Sequence, residues 1–101
     1  MSEYEIYVPL CDNNGRPVAP RRLKSLRMLL VRQFGGLTLF PQANEGIWKI
    51  GSHTFRDKIV ILRVLSGKPS ARTFLLRLKQ QLKREWDQTD VLIVSRKVST
   101  L

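Results

Sequence analysis

Apolar residues recur along this chain with two different spacings, and these divide it into six main segments. Segments rich in β-branched and aromatic residues, mostly with a two-residue alternation, predict strands over residues 4–10, 37–41, 57–65 and 91–98. Apolar residues three and four positions apart predict helices over residues 21–34 and 71–86. The main segments therefore follow the order β-α-β-β-α-β.

The middle of the chain, residues 34–65, contains the turns around which the other segments are arranged. Gly35-Gly36 predicts the end of the first helix, because glycine adopts the left-handed conformation without a Cβ clash. Asn44-Glu45-Gly46 predicts a turn with a positive φ at Gly46, followed by a short extra strand over residues 47–50. Gly51-Ser52 predicts a second turn, which Asp57, beside Arg56, could cap or brace.

Each predicted helix has one apolar stripe and one basic outer face. The apolar stripes comprise Leu23, Leu26, Leu30 and Phe34 in the first helix, and Ala71, Phe74, Leu75, Leu78, Leu82 and Trp86 in the second. Phe34 and Leu78 lie in the middle of these stripes and are predicted core anchors. Pro20 suits the first turn of the first helix, and Ser70 is a predicted cap for the second.

The order of the segments predicts one α+β domain over residues 1–101, a ferredoxin-like two-layer sandwich of four antiparallel strands under two helices. Right-handed crossovers place the first and third main strands in the centre of the sheet. The sheet face away from the helices is apolar in either register: it carries Ile59 and Ile61 in one, and Val60, Leu62 and Val64 in the other. An uncovered apolar face favours a homodimer joined through that face.

Charge is the unusual feature of the composition, since 18 Lys and Arg oppose 8 Asp and Glu to give a net charge of +10. Such a surplus favours an anionic partner such as nucleic acid. The predicted anion-binding residues are Arg21, Lys24 and Arg32 on the first helix, and Arg72, Lys79 and Lys83 on the second. A solvated basic surface without a specific partner is the alternative interpretation of the same residues.

Residues typical of catalysis are few. Cys11 and His53 are the only ordinary nucleophile and base, and they lie in different predicted loops. One cysteine and one histidine give no metal-ligand spacing, and no glycine-rich phosphate loop opens a helix. The sequence therefore predicts no catalytic residue, no metal and no cofactor, and it favours a non-enzymatic binding module.

A second hypothesis starts from Arg63, the one charged residue in a strand of Ile, Val and Leu. A buried guanidinium requires a partner, and Glu5 and the Tyr7 hydroxyl lie on the neighbouring predicted strand. Arg63 could instead anchor an anion. The alternative prediction is thus a dimeric α/β-barrel protein, in some cases a cofactorless enzyme, with a small-molecule pocket between sheet and helices lined by Tyr7, Trp48, His53 and Arg63.

Two families share features with the chain. The segment order matches an RNA-recognition domain, and residues 6–10 are similar to its first signature, but the third main strand lacks the aromatic residues on which bases stack. Residues 7–10, Gly36-Leu37-Thr38, Gly46-Ile47-Trp48 and residues 56–58 together resemble the DUF3574-type family of small bacterial proteins of unknown function. That resemblance implies a strand-turn-strand arrangement in the middle of the chain. The family has no assigned activity, so the resemblance implies no catalytic residue. Phe40-Pro41-Gln42 departs from the family's pattern.

Compartment follows from cysteine usage and hydropathy. A single cysteine excludes a disulfide framework within the chain and favours a reducing compartment. The first ten residues lack the basic start and long apolar run of a signal peptide. No apolar run approaches the roughly 20 residues that span a membrane. We expect a cytoplasmic protein.

Overall fold

The structure is a computed structural model that describes residues 1–101. It contains four strands and two helices in the predicted order: β1 Ser2–Pro9, α1 Pro20–Phe34, β2 Thr38–Ile50, β3 His53–Ser66, α2 Ser70–Glu85 and β4 Ile93–Lys97. The strands form one antiparallel sheet in the order β2-β3-β1-β4. The predicted ferredoxin-like sandwich, with the first and third main strands in its centre, is therefore confirmed. Neither helix combines the length and the apolar character that a membrane crossing requires.

The core lies between the helices and one face of the sheet. Its completely enclosed side chains come from both central strands, α1 and the segment before β4: Ile6, Val8, Leu30, Leu62, Val64 and Val91. Val60, Leu62 and Val64 thus face the helices, which selects the register that leaves Ile59 and Ile61 on the other side. Leu78 is buried as predicted. Phe34 is only partly buried and meets Phe74 edge to face, with 5.7 Å between ring centroids.

The helix ends follow local backbone chemistry. Pro20 occupies the first turn of α1, where a backbone N–H has no acceptor within the helix, so the missing N–H of proline costs no hydrogen bond. Gly35 ends the helix at φ 78° and donates its N–H to the Val31 carbonyl at 2.8 Å. The predicted cap at Ser70 is wrong: Pro69 precedes α2, Ser70 is already helical, and no side chain caps the helix.

The predicted turn at residues 44–46, and with it the separate short strand, is wrong. β2 continues through this segment, and Gly46 is not among the glycines with positive φ. Phe40 pairs with Ile61 and Asn44 with Ile59, so the three residues between them on β2 face one residue of β3. Pro41 lies in this bulge, where a residue that lacks an N–H breaks no ladder bond. The turn predicted at Gly51-Ser52 is present between β2 and β3, with Gly51 at φ 62°.

Beyond the bulge, β2 and β3 continue as a long two-stranded ribbon, which we call the hairpin arm (residues 44–58). Its residues are mostly exposed, in contrast to the buried centre of the sheet. The bulge inserts two extra residues, an even number, and the side-chain alternation therefore continues unchanged into the arm. Trp48, Asp57 and Ile59 consequently point to the same side of the sheet, away from the helices.

Candidate functional site

The sheet face away from the helices, the open face, carries the odd-numbered residues of β1 and β3. It is not uniformly apolar, in contrast to the sequence-based expectation. One end is occupied by charged residues of β1, β3 and β4, and the other end is apolar and adjoins the hairpin arm. The two ends have different chemistry and are described in turn.

Two carboxylates and two guanidinium groups occupy the first end and form what we call the Glu–Arg quartet: Glu3, Glu5, Arg63 and Arg96. Glu5, on β1, is 7% exposed and accepts a hydrogen bond from Nη2 of Arg96 at 2.7 Å. Nη2 of Arg63 lies 3.5 Å from the same carboxylate oxygen. Glu3 lies 3.0 Å from Nε of Arg63 and 3.3 Å from Nη1 of Arg96. The quartet therefore links β3 and β4 across β1.

Arg63 is neutralised within this quartet. The predicted ion pair with Glu5 is present, whereas no hydrogen bond joins Arg63 to the Tyr7 hydroxyl. The Phe40 ring covers the guanidinium, with 4.8 Å from Cζ to the ring centroid. The Arg63 Nε is buried and is near the Glu3 carboxylate but is not aligned for a hydrogen bond. With two carboxylates already bound, Arg63 offers no free charge to an anion.

The other end of the open face is a concave, mostly apolar site of about 590 Å³, which we call the sheet cleft. It lies over the C-terminal end of β1 and the middle of β3, and is walled by the hairpin arm and the segment before β4. Its lining residues are Tyr7, Pro9, Asn44, Glu45, Gly46, Ile47, Trp48, Ile50, Asp57, Ile59, Ile61, Asp90 and Leu92. This volume and this apolar lining are typical of small-molecule sites.

Gly46 positions the Trp48 indole in this wall. A Cβ added at Gly46 would lie 3.0 Å from Cζ3 of Trp48, well inside the 3.5–4.0 Å optimum for carbon contacts. The ring therefore folds back over the glycine backbone, and a side chain at this position would displace it. Gly46 serves this close approach rather than the predicted turn.

Asp90 is held at the rim by hydrogen bonds between two loops. Asn13, in the β1–α1 loop, accepts bonds from the backbone N–H and the hydroxyl of Thr89, both at 3.0 Å. The amide of Gln88 donates to the Cys11 carbonyl at 2.7 Å. A smaller cavity of about 70 Å³ continues from the cleft between these loops and the arm, and it shares Trp48, Ile50, Asp57 and Asp90 with the cleft.

The charges of the cleft oppose those of the whole chain. Three of its lining residues are acidic, Glu45, Asp57 and Asp90, and none is Lys, Arg or His. Glu45 lies 4.0 Å from Arg56, and Asp90 lies 3.3 Å from Lys79. Asp57 is half-buried and forms no ion pair. It lies opposite Gly46 in the ladder, and therefore beside the Trp48 ring rather than at the turn that it was predicted to brace.

The sequence-predicted pocket is only half assembled. Tyr7 and Trp48 come together in the cleft, whereas His53 lies exposed at the arm's tip beside Phe55 and Arg63 lies in the quartet. The predicted place is also wrong, because the space between sheet and helices is filled by the core. Asp57 was missed as a lining residue. Its odd-numbered position in β3 places it on the same face as Ile59 and Ile61, and this spacing could have indicated that it lines the cleft.

The predicted anion-binding residues lie on the two helices, and none of them lines the cleft. Arg21, Lys24, Arg32 and Arg72 are exposed, and Lys79 and Lys83 are half-buried. Lys79 pairs with Asp90 at the cleft rim. This partner comes from a loop after α2, so the spacing of charges along the helix did not reveal it.

Association through the open face stays a prediction. Light scattering at micromolar concentration should return twice the mass of one chain, because the exposed apolar residues around the cleft would be covered by a second copy. The interface should exceed roughly 1,000 Å² in total. Ile61→Glu, on the cleft floor next to the quartet, should then return the mass of one chain. A single-chain mass for the unmodified protein would contradict the prediction.

A scan against protein-family models and a search of the curated proteins found no match to this chain, so the DUF3574-type resemblance stays a prediction. Among solved structures, the chain is similar to a phage SAM lyase determined in complex with S-methyl-5'-thioadenosine. The TM-score is 0.69 at 13% sequence identity, over 95% of this chain and 80% of the lyase chain. At that identity the likeness shows a common fold.

This comparison contradicts the sequence-based prediction of a non-enzymatic binding module for an anionic partner, because the structure with the common fold is that of an enzyme. The prediction depended on net charge, which describes solubility and steering rather than the chemistry of a site. The comparison favours the alternative prediction, a protein with a small-molecule site, over the main one.

Proposed function

We propose that the protein binds a small organic molecule in the sheet cleft and acts on it as a lyase, with a nucleoside sulfonium compound such as S-adenosylmethionine as the substrate class. The observation that carries this proposal is the cleft itself: about 590 Å³ of apolar space with the Trp48 indole in its wall. Such a space matches the size of a nucleoside with a short side chain, and a tryptophan face suits a planar base.

The reaction class is supported by the fold shared with the phage SAM lyase. In a sulfonium cleavage, one carbon–sulfur bond breaks and its electron pair stays on sulfur, which becomes a neutral thioether. The carbon fragment completes its valence by bonding its own carboxylate oxygen, which displaces the sulfur within the same molecule. This route consumes no water and no redox partner and transfers no proton, so the chemistry needs only a site that binds and orients the substrate.

The chain's own residues contribute binding and orientation. Trp48 provides the stacking surface, Ile59 and Ile61 form an apolar floor, and Asp57 places one carboxylate beside the ring. Apolar walls also favour a reaction in which the substrate's carboxylate and sulfonium charges cancel, because the transition state is then less charged than the bound substrate. No side chain needs to supply a nucleophile, which is consistent with the small number of residues typical of catalysis in the sequence.

The first test is turnover. Incubation of the protein with S-adenosylmethionine, followed by chromatography, should show S-methyl-5'-thioadenosine at a rate proportional to protein concentration. Binding is followed independently by the change in tryptophan fluorescence, since Trp48 is 42% exposed and Trp86 only 5%. The absence of both the product and a saturable fluorescence change at millimolar ligand would overturn the proposal.

Variants locate the site. Trp48→Leu should weaken binding about 10- to 100-fold, because stacking on an aromatic ring contributes about 1–3 kcal/mol per base. Gly46→Ala, which moves the same ring, should weaken binding in the same direction without unfolding the protein. Leu65→Ala is the control: it removes an exposed apolar side chain from the neighbouring strand β3, outside the cleft. Equal losses in all three variants would contradict the assignment of the cleft.

A further inference from the structure

The distribution of charge in and around the sheet cleft indicates which ligands the cleft accepts. The protein has 18 Lys and Arg against 8 Asp and Glu. None of the basic residues lines the cleft, and three of the eight acidic residues do. Charges farther away than roughly 8 Å are largely screened at physiological ionic strength, so the local potential depends on these acidic residues and on the two basic residues that pair with them, Arg56 and Lys79.

Asp57 is the carboxylate whose charge remains available. Glu45 and Asp90 each have a basic partner within 4.0 Å, whereas Asp57 forms no ion pair. It is also half-buried in the wall, while Glu45 and Asp90 are exposed. A partly desolvated carboxylate attracts a cation more strongly than a fully hydrated one, because the effective dielectric constant around it is lower.

The aromatic residues of the cleft have the same preference. The Trp48 indole lies over Gly46, directly opposite Asp57 in the ladder, and Tyr7 lies across the cleft on β1. The face of an aromatic ring is electron-rich, and tryptophan is the best of the natural rings at holding an organic cation. An apolar site with an unpaired carboxylate beside an indole is thus complementary to a positive charge on an apolar body.

We infer that the sheet cleft selects its ligands by positive charge, accepting sulfonium and quaternary ammonium compounds and discriminating against neutral or anionic compounds of the same shape. For nucleoside ligands this inference rests on the proposed function. A sulfonium substrate would then bind better than the thioether it becomes. Because the reaction removes this charge, Asp57 and Trp48 bind the product more weakly than the substrate. The reaction itself therefore favours product release.

The experiment compares matched pairs that differ by one charge. S-adenosylmethionine and S-adenosylhomocysteine form the nucleoside pair, and 3-hydroxyphenyltrimethylammonium and 3-tert-butylphenol form a pair without a nucleoside. Calorimetric titration should give about tenfold tighter binding for the cation of each pair, since a cation–π contact and a nearby carboxylate together contribute on the order of 1–2 kcal/mol. The preference should shrink as salt is raised.

Asp57→Asn removes the charge at nearly constant shape and should abolish most of the preference. Asp87→Asn is the matched control, because Asp87 lies in the loop after α2, outside the cleft lining, and asparagine tolerates its positive φ of 50°. If Asp57→Asn does not fold, the salt dependence of the unmodified protein gives the same information.

The outcomes separate the two proposals. Equal affinities within both pairs, or a preference that survives both Asp57→Asn and high salt, would overturn charge selection even if S-adenosylmethionine is cleaved. A preference for the ammonium compound together with no binding of either nucleoside would overturn the proposed function and support charge selection. A preference in both pairs that Asp57→Asn removes supports both.

Discussion

Leu62→Ala should lower the free energy of unfolding by about 3–5 kcal/mol, the upper part of the range for buried leucines. Leu62 lies on a central strand, is 0% exposed, and is flanked across the sheet by Ile6 and Leu39. Neighbours held by two ladders cannot easily move into the space left by the missing atoms. Urea denaturation followed by circular dichroism, with an unchanged m-value, measures the loss.

The matched control for this change lies three residues further along β3. Leu65→Ala removes the same atoms from a side chain that is 41% exposed. Its cost should be under about 1 kcal/mol, as for most surface substitutions. A similar loss in both variants would mean that the alternation of β3 between core and open face is not as described.

Glu5→Gln should lower the free energy of unfolding by about 2–3 kcal/mol. Removing one member of a buried ion pair typically costs 3–5 kcal/mol, because the remaining charge stays buried without its partner. Here the two guanidinium side chains are 33% and 49% exposed, so water relieves part of that cost. The shape of the side chain is kept, and the loss therefore reports on charge. Thermal and urea unfolding at neutral pH measure it.

The control for the quartet is Glu85→Gln. Glu85 is exposed at the end of α2 and accepts hydrogen bonds only from the Gln81 amide, at 3.3 and 3.4 Å. The change should alter stability by less than about 0.5 kcal/mol. If Glu5→Gln were equally mild, the quartet would be a solvated surface cluster and not a link between β3, β1 and β4.

The fold could be predicted from the sequence because its determinants are local. Leucines at helical spacing specify α1 and α2, and the apolar run that includes Val60, Leu62 and Val64 specifies a central strand. For four strands and two helices in this order, the right-handedness of crossover connections allows few sheet topologies. The single charge in that run, Arg63, likewise required a partner, and the structure supplies the expected Glu5 together with Glu3.

The cleft could not be predicted, because it depends on how one strand deviates from regularity. Gly46 in a stretch with Asn and Glu has the composition of a turn, and only the tertiary position of Trp48 shows that it accommodates a ring. Pro41 signals an irregularity without saying whether the strand stops or resumes. Asp57 was assigned to a turn that lies elsewhere, and its place in the cleft follows from the continuous β2.

The bulge after Phe40 also divides the hairpin into two mechanical parts. On its sheet side, β3 is backed by β1 and the helices, so we expect its amide hydrogens to exchange only when the whole domain unfolds. On its far side, the hairpin arm has a ladder on one edge and solvent around most of its side chains, so we expect its amides to exchange through local opening. The same strand pair would then have a rigid base and a wall that opens independently. A ligand would enter the cleft and leave it without disturbing the core.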